Sequence, residues 1–347
     1  MMLTYNPVNN QKGTSIVVGR AAMAIYLIFK YGRIPKGKVI LPANICYAAV
    51  LPVIYAGYEP LFCDVDYISG NVTLTTIQAA WNDNVVAAII PHMYGNPVDN
   101  LFKIKDFFIE KKIVFIEDCA SFMFNDAKTV GDYVVYSTGY AKTLDIGFGG
   151  ILYSSKNDLT EMELMEKQFP IYKDTFENEW NVFSKVYRVL RNYGNDTVLS
   201  KSIYTSMLSN VREILLFKIN QEKKEEVISA MDELKQAIEN RRYKYSVYLD
   251  NLQNSLISDQ IYRFNADAVP WRFNLLTKEN NKSLIDYCLK NNMPVSDWYP
   301  CINKMFNCEK KFTSAERHEQ HIINFPLLIS DVEIDNICTN IIRFYKS

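Results

Sequence analysis

Glycine is scarce in this chain, with 13 among 347 residues, and histidine is scarcer still, with three. Those three (His92, His318 and His321) accompany seven cysteines, but no Cys-x-x-Cys pair occurs, so a structural zinc site is not expected. An odd cysteine count without such pairs reads most simply as free thiols in a reducing compartment, which points to the cytoplasm. Charge of one sign is not in excess: 38 basic side chains stand against 39 acidic ones. That balance gives no electrostatic case for nucleic acid or for an anionic membrane surface. No run of 18 apolar residues exists, so no membrane span is expected. The opening MMLTYNPVNNQKG lacks an apolar segment, so no secretory signal is expected either.

Apolar residues are plentiful at 48%, and the chain carries 23 tyrosines and 19 phenylalanines. A chain this long favours a large and a small domain, expected at 1–235 and 236–347. Up to about residue 155, short β-rich runs alternate with helical stretches. The runs are KVILPA (38–43), EPLFCDVD (59–66), VVAAIIPHMYG (85–95), KIVFIED (112–118), YVVYST (133–138) and GGILYSS (149–155). Helical patterns fill Arg20–Tyr31, Ala48–Ala56, Thr75–Trp81 and Asn100–Glu110. Such alternation predicts an α/β fold with a mainly parallel central sheet sandwiched by helices. Several runs are apolar throughout, as suits strands covered on both faces. Ligands in such sheets sit at the carboxyl ends of the strands.

Beyond Asn157 the pattern turns helical. Val227, Met231, Leu234 and Ile238 predict one amphipathic helix over 222–242. The remainder mixes strands and helices, as a smaller α+β domain would, and ends in a helix over 332–345.

Three features stand where a ligand would bind. Asp118 ends the run KIVFIED and either faces the crevice or caps a helix. Gly19–Arg20–Ala21–Ala22 opens a helix, and a glycine at a helix start lets a phosphate approach backbone N–H groups. Lys142, in YSTGYAKTLDIGFGG, lies between a strand ending at Ser137 and a turn containing Gly147, Gly149 and Gly150. Alone it reads as a loop lysine; buried, its amine could be neutral and nucleophilic. In this chain order the three meet the needs of pyridoxal phosphate. The phosphate needs backbone donors, the ring nitrogen an anion and the aldehyde an amine. His92 ends a strand and is either structural or catalytic. Arg272, in PWRF, is a candidate for a substrate anion or a surface ion pair. Trp81 and Trp271 read as packing residues.

The motifs together resemble the sugar aminotransferases of the DegT/DnrJ/EryC1/StrS family, which have the fold-type-I architecture. GRAA (19–22) resembles that family's GTAA; VFIEDCAS (114–121) resembles VIEDxAQ; IIPHMYGNPVD (89–99) resembles PVHLYGxPxD. YSTGYAKTLDIGFGG (136–150) resembles FSFHxTKxxTTGEGG; the C-terminal WYP (298–300) resembles HYP. The resemblance implies that Lys142 carries pyridoxal phosphate covalently and that Asp118 pairs with the ring nitrogen. Ser137 and the backbone at Gly19, Arg20 and Ala21 would bind its phosphate. Ser121 would lie near the cofactor hydroxyl. It further implies a homodimer that transfers nitrogen from an amino acid, glutamate in many members, to a nucleotide-linked keto-sugar for polysaccharide or secondary-metabolite sugars. Departures occur where substrate would lie. Cys46 replaces the aromatic residue that stacks on the ring, Phe148 replaces a glutamate and Trp298 a histidine. Arg20 replaces a threonine and could instead meet a substrate anion. The family's NYRM segment has no clear counterpart, Asn220 in FKINQ being its nearest stand-in. Because of them, other chemistry on the same cofactor, or a non-catalytic cofactor- or sugar-binding role, is the alternative reading.

Overall fold

The computed structural model describes residues 1–123, 128–193, 206, 210–306 and 308–346. Its centre is an eight-stranded sheet. The strands are β1 (Met2–Tyr5), β2 (Lys12–Val18), β3 (Lys38–Pro42), β4 (Glu59–Cys63), β5 (Val85–Pro91), β6 (Val114–Cys119), β7 (Tyr133–Ser137) and β8 (Gly150–Ser154). Their order is β1-β2-β8-β7-β6-β5-β3-β4. From β4 to β7 all pairings are parallel. From β7 through β8 and β2 to β1 they are antiparallel. Since β8 opposes both of its neighbours, β2 and β7 run the same way. The carboxyl ends of β2, β3, β5, β6 and β7, and the amino end of β8, therefore share one edge of the sheet.

Apolar sequence on both faces explains why the middle strands lie at the centre. Every residue of β7 and β8 is buried. Helix α1 (Ala21–Tyr31) is buried continuously from Ala22 to Phe29, between the sheet and its neighbours. Helices α2 (Tyr47–Tyr55), α3 (Leu74–Ala80), α4 (Leu101–Lys111) and α5 (Thr160–Glu166) complete the layers. Helices α6 (Thr175–Tyr193), α7 (Arg212–Leu215), α8 (Gln221–Ser229) and α9 (Leu234–Leu252) follow. The C-terminal part adds α10 (Lys282–Lys290), α11 (Thr313–His321), α12 (Asp331–Lys346) and the antiparallel pair β9 (Phe273–Leu276) and β10 (Ile322–Phe325).

Two differences from the sequence pattern matter. Strands β1 and β2 were not visible in it, because Lys12–Ser15 begins β2 with small and polar residues and only its second half is apolar and buried. The single helix expected over 222–242 is instead α8 and α9, separated by a 3₁₀ turn at Ala230–Glu233. Val227, Leu234 and Ile238 are buried as the spacing predicts, but α9 continues to Leu252. There it enters a second core, where Tyr248 stacks on Phe273 with centroids 4.3 Å apart and planes 7° apart. Ile302, Met305, Phe312 and Ala315 return to the main core, so the C-terminal segment touches both. Among the described residues no helix is long and apolar enough to cross a membrane.

Candidate active site

Near its end strand β6 carries two adjacent acids, Glu117 and Asp118, and alternation sends them to opposite faces of the sheet. Glu117 is enclosed on one face. It accepts from the Val130 and Gly131 amides at 2.7 and 2.8 Å and contacts His92 Nε2 at 3.2 Å. His92 Nδ1 accepts from the Val98 amide at 3.1 Å, so Nε2 carries the proton and donates to Glu117. Both ring nitrogens are thus committed, and His92 is 2% exposed. It braces the turn after β5 and offers no free nitrogen to a substrate. His92, Glu117 and Cys119 have donor atoms within 4.8 Å of one another, but those of His92 and Glu117 are already taken by protein groups.

Asp118 faces the other way. Its Oδ1 accepts from the Ala120 amide at 2.9 Å. Burial pushes its carboxyl up from the ordinary aspartate range, while the Ala120 amide, Lys142 and His92 pull it down. A cationic donor placed against this carboxyl would stabilise its charged form.

Lys142 projects from the loop joining β7 to β8. That loop is tied internally: Thr138 Oγ1 donates to the Phe148 carbonyl at 2.6 Å, and the Ala141 amide to Asp145 Oδ2 at 2.7 Å. Lys142 Nζ donates to Ser121 Oγ at 3.2 Å. Ser121 also bonds the hydroxyl of Tyr299, which burial raises and Lys142 opposes. Cys46, at the N-cap of α2, completes the group: burial pushes its thiol up, with Lys142 again opposing. Lys142, Ser121, Asp118, Cys46 and Tyr299 therefore face one crevice at the carboxyl edge of the sheet.

The other end of the crevice is made of backbone. Ser137 ends β7 and pairs with Gly150, which pairs with Val18 of β2. The Gly149 amide donates to the Gly19 carbonyl at 2.8 Å. A Cβ on Gly150 would lie 2.7 Å from the Ala21 nitrogen, so only glycine leaves the start of α1 open. Arg20 caps α1 without a side-chain cap bond, and its guanidinium lies over Trp180 and Phe217 at 5.2 and 5.6 Å. The earliest amides of such a helix have no intrahelical acceptor and attract an anion, whereas that of Met23 already donates to the Arg20 carbonyl at 2.9 Å.

Of the other expected residues, Trp298 stacks on Tyr187, 6.2 Å between centroids, and contacts Tyr47 and Tyr299. Arg272 lies over the Trp271 ring at 4.7 Å and opposes Arg241 electrostatically. Asn220 caps α8, accepting from the Lys223 amide at 2.9 Å. Trp271 does more than pack: its Nε1 donates to the Ala141 carbonyl at 2.6 Å. Tyr299, Trp271 and Arg241 were missed in the sequence. Tyr299 follows Trp298 in the quoted WYP and could have been taken with it; Arg241 lies in an ordinary charged helix and gave no signal.

The residues fit pyridoxal phosphate. Lys142 would supply an amine and Asp118 a buried carboxyl, while the glycine-lined start of α1 would receive the phosphate. The chain is 23% identical over 352 residues to GDP-perosamine synthase of Escherichia coli O157:H7, covering 97% of this chain and 86% of that one. It is 32% identical over 130 residues to dTDP-4-dehydro-2,3,6-trideoxy-D-glucose 4-aminotransferase of Saccharopolyspora spinosa, a match spanning 36% of this chain and 34% of that one. The fold is that of E. coli GDP-4-keto-6-deoxy-D-mannose-3-dehydratase with bound hydrated PLP, with TM-score 0.69, 16% identity, and 98% and 92% of the two chains covered. A family model matches residues 8–341, and the chain belongs to the DegT/DnrJ/EryC1/StrS aminotransferase family.

Proposed function

We propose that this protein uses pyridoxal phosphate to move an amino group from an amino acid, glutamate by preference, to a nucleotide-linked keto-sugar. The observation that supports this most directly is that Lys142 Nζ donates to Ser121 Oγ at 3.2 Å, close enough to the buried Asp118 carboxyl to favour its charged form. Bound there, the cofactor supplies an aldehyde and an electron-withdrawing ring. The chain's residues do the rest. Ser137 and the Arg20 and Ala21 amides hold the phosphate. Asp118 holds a proton on the ring nitrogen, keeping positive charge at the far end of the ring. Lys142 Nζ removes the proton from the donor's α carbon, and later delivers one to the sugar carbon that receives nitrogen. Ser121 orients that amine, and the rings of Tyr47, Trp298 and Tyr299 keep water from it. We place the enzyme in the cytoplasm as a homodimer, feeding the synthesis of surface polysaccharides or sugar-bearing secondary metabolites.

The test is a Lys142→Ala variant with its fold checked by circular dichroism. Donor-dependent amination should fall by about 10³-fold, as loss of a positioned acid–base group implies. Turnover that survives this change would remove Lys142 from the mechanism.

A further inference from the structure

Arg241, in α9, is 2% exposed, and a charge so deeply placed requires a reason. Its Nη1 donates to the Trp271 carbonyl at 3.0 Å and its Nη2 to the Lys142 carbonyl. Its Nε has no hydrogen-bond partner among the described residues. Burial lowers this guanidinium to about 10, with Asp145 opposing. A buried cation on two neutral carbonyls is a costly way to fill space, and a neutral side chain would pack as well.

The adjacent carbonyl is held as well. Trp271 Nε1 donates to Ala141, so two consecutive carbonyls of the lysine loop are taken by C-terminal residues. Ala141 has φ +59°, a left-handed conformation that a non-glycine residue keeps only when its surroundings impose it. Trp271 is anchored in turn: its amide donates to the Tyr94 carbonyl at 2.9 Å, and its ring stacks on Tyr299 at 5.4 Å and 27°. Tyr299 bonds Ser121, the acceptor of the Lys142 amine. One assembly therefore grips both the backbone and the tip of Lys142.

We propose that Arg241 and Trp271 form a clamp that sets the aim of Lys142, Arg241 being a positioning residue that touches neither substrate nor cofactor. The clamp couples the C-terminal part of the chain to the lysine, so a shift of α9 moves Nζ relative to Ser121. This inference rests on Lys142 being the reactive amine, but its primary readout needs neither cofactor nor turnover.

That readout is hydrogen–deuterium exchange of the cofactor-free full chain in Arg241→Gln and Trp271→Phe, the second keeping an aromatic ring against Tyr299 while deleting the Nε1 bond. Amides of residues 139–146 should exchange about tenfold faster, the loss expected for a hydrogen bond to a charged group or a well-buried one. Amides of α1 and β5 should not change. Methylguanidinium should restore protection to Arg241→Ala and leave Trp271→Phe unrestored. Capture of pyridoxal phosphate on Lys142, trapped by borohydride and read by mass spectrometry, should slow in the same variants. Exchange at 139–146 that stays unchanged in both variants overturns the clamp. So does a rise that α1 and β5 share equally, which would mark general loosening.

Discussion

At Gly95 the backbone turns with φ +79°, and a Cβ would lie 1.9 Å from the Val269 carbonyl. No rotamer relieves that clash, because the obstructing atom is backbone. The preceding Tyr94 is itself left-handed at φ +61°. The pair bends the chain so that the Tyr94 carbonyl meets the Trp271 amide and the Gly95 carbonyl meets the Val269 amide, at 2.9 Å each. Gly95→Ala should therefore destabilise the protein by about 3 kcal/mol or more, through strain and two weakened bonds. Urea denaturation checks this; a midpoint within error of the parent would show that the turn relaxes freely. This position shows what a single sequence conceals. The glycine in HMYG is visible, but the carbonyl that demands it comes from residue 269.

Among elements, α6 has the most pronounced division of labour. Its inward rings, Trp180, Phe183 and Tyr187, gather around Tyr47, and Ser184 meets the Tyr47 hydroxyl at 3.0 Å. Trp180 also stacks on Phe183 at 5.5 Å and 22° and lies beneath Arg20. Trp180→Ala should lower stability by about 2 kcal/mol, less than a fully enclosed tryptophan would cost because this one is half-buried. A near-ultraviolet circular dichroism melt reads it, and an unchanged melting point would mean that α6 unfolds apart from the sheet. Legibility differed sharply between elements. Strands β3 and β5 to β8 stood out because burial leaves largely apolar runs, and edge strand β4 by its buried, apolar end, whereas the mixed composition of β2 hid it. Asp118, Ser137 and Lys142 could be singled out because each sits at or just after a strand end. Arg241, Trp271 and Tyr299 reach the same crevice from 99 residues or more beyond Lys142, and no local pattern records that distance.

Across the molecule, one buried chain of hydrogen bonds ties the two halves together. His318 Nδ1 donates to the Tyr67 carbonyl at 2.7 Å; its Nε2 accepts from Tyr94 Oη at 3.0 Å; that oxygen accepts from the Tyr299 amide at 3.1 Å. Burial lowers His318 from 6.5 to about 4, partly offset by the Tyr67 carbonyl and Asp66. With the folded value below the unfolded one, the unfolded chain takes up the proton first as pH falls. The contribution of neutral His318 is complete above about pH 6.5 and is lost on descending towards pH 4, by about 3 kcal/mol at most. His318→Gln should be less stable at pH 8 yet flatter across that window in denaturant titrations. Parallel curves for the two proteins would show that another group governs the acid response.

The alternation at the end of β6 has a consequence for how this enzyme can evolve. Glu117 and Asp118 differ by one methylene, yet one is walled in by amides and the other opens on the crevice. Deleting or inserting one residue upstream in that strand would turn each acid to the other face, the longer one towards the ligand side and the shorter one towards the side of His92. Composition would hardly change, but neither acid would then span its gap. The strand can therefore drift in side-chain identity at its apolar positions far more readily than it can change length.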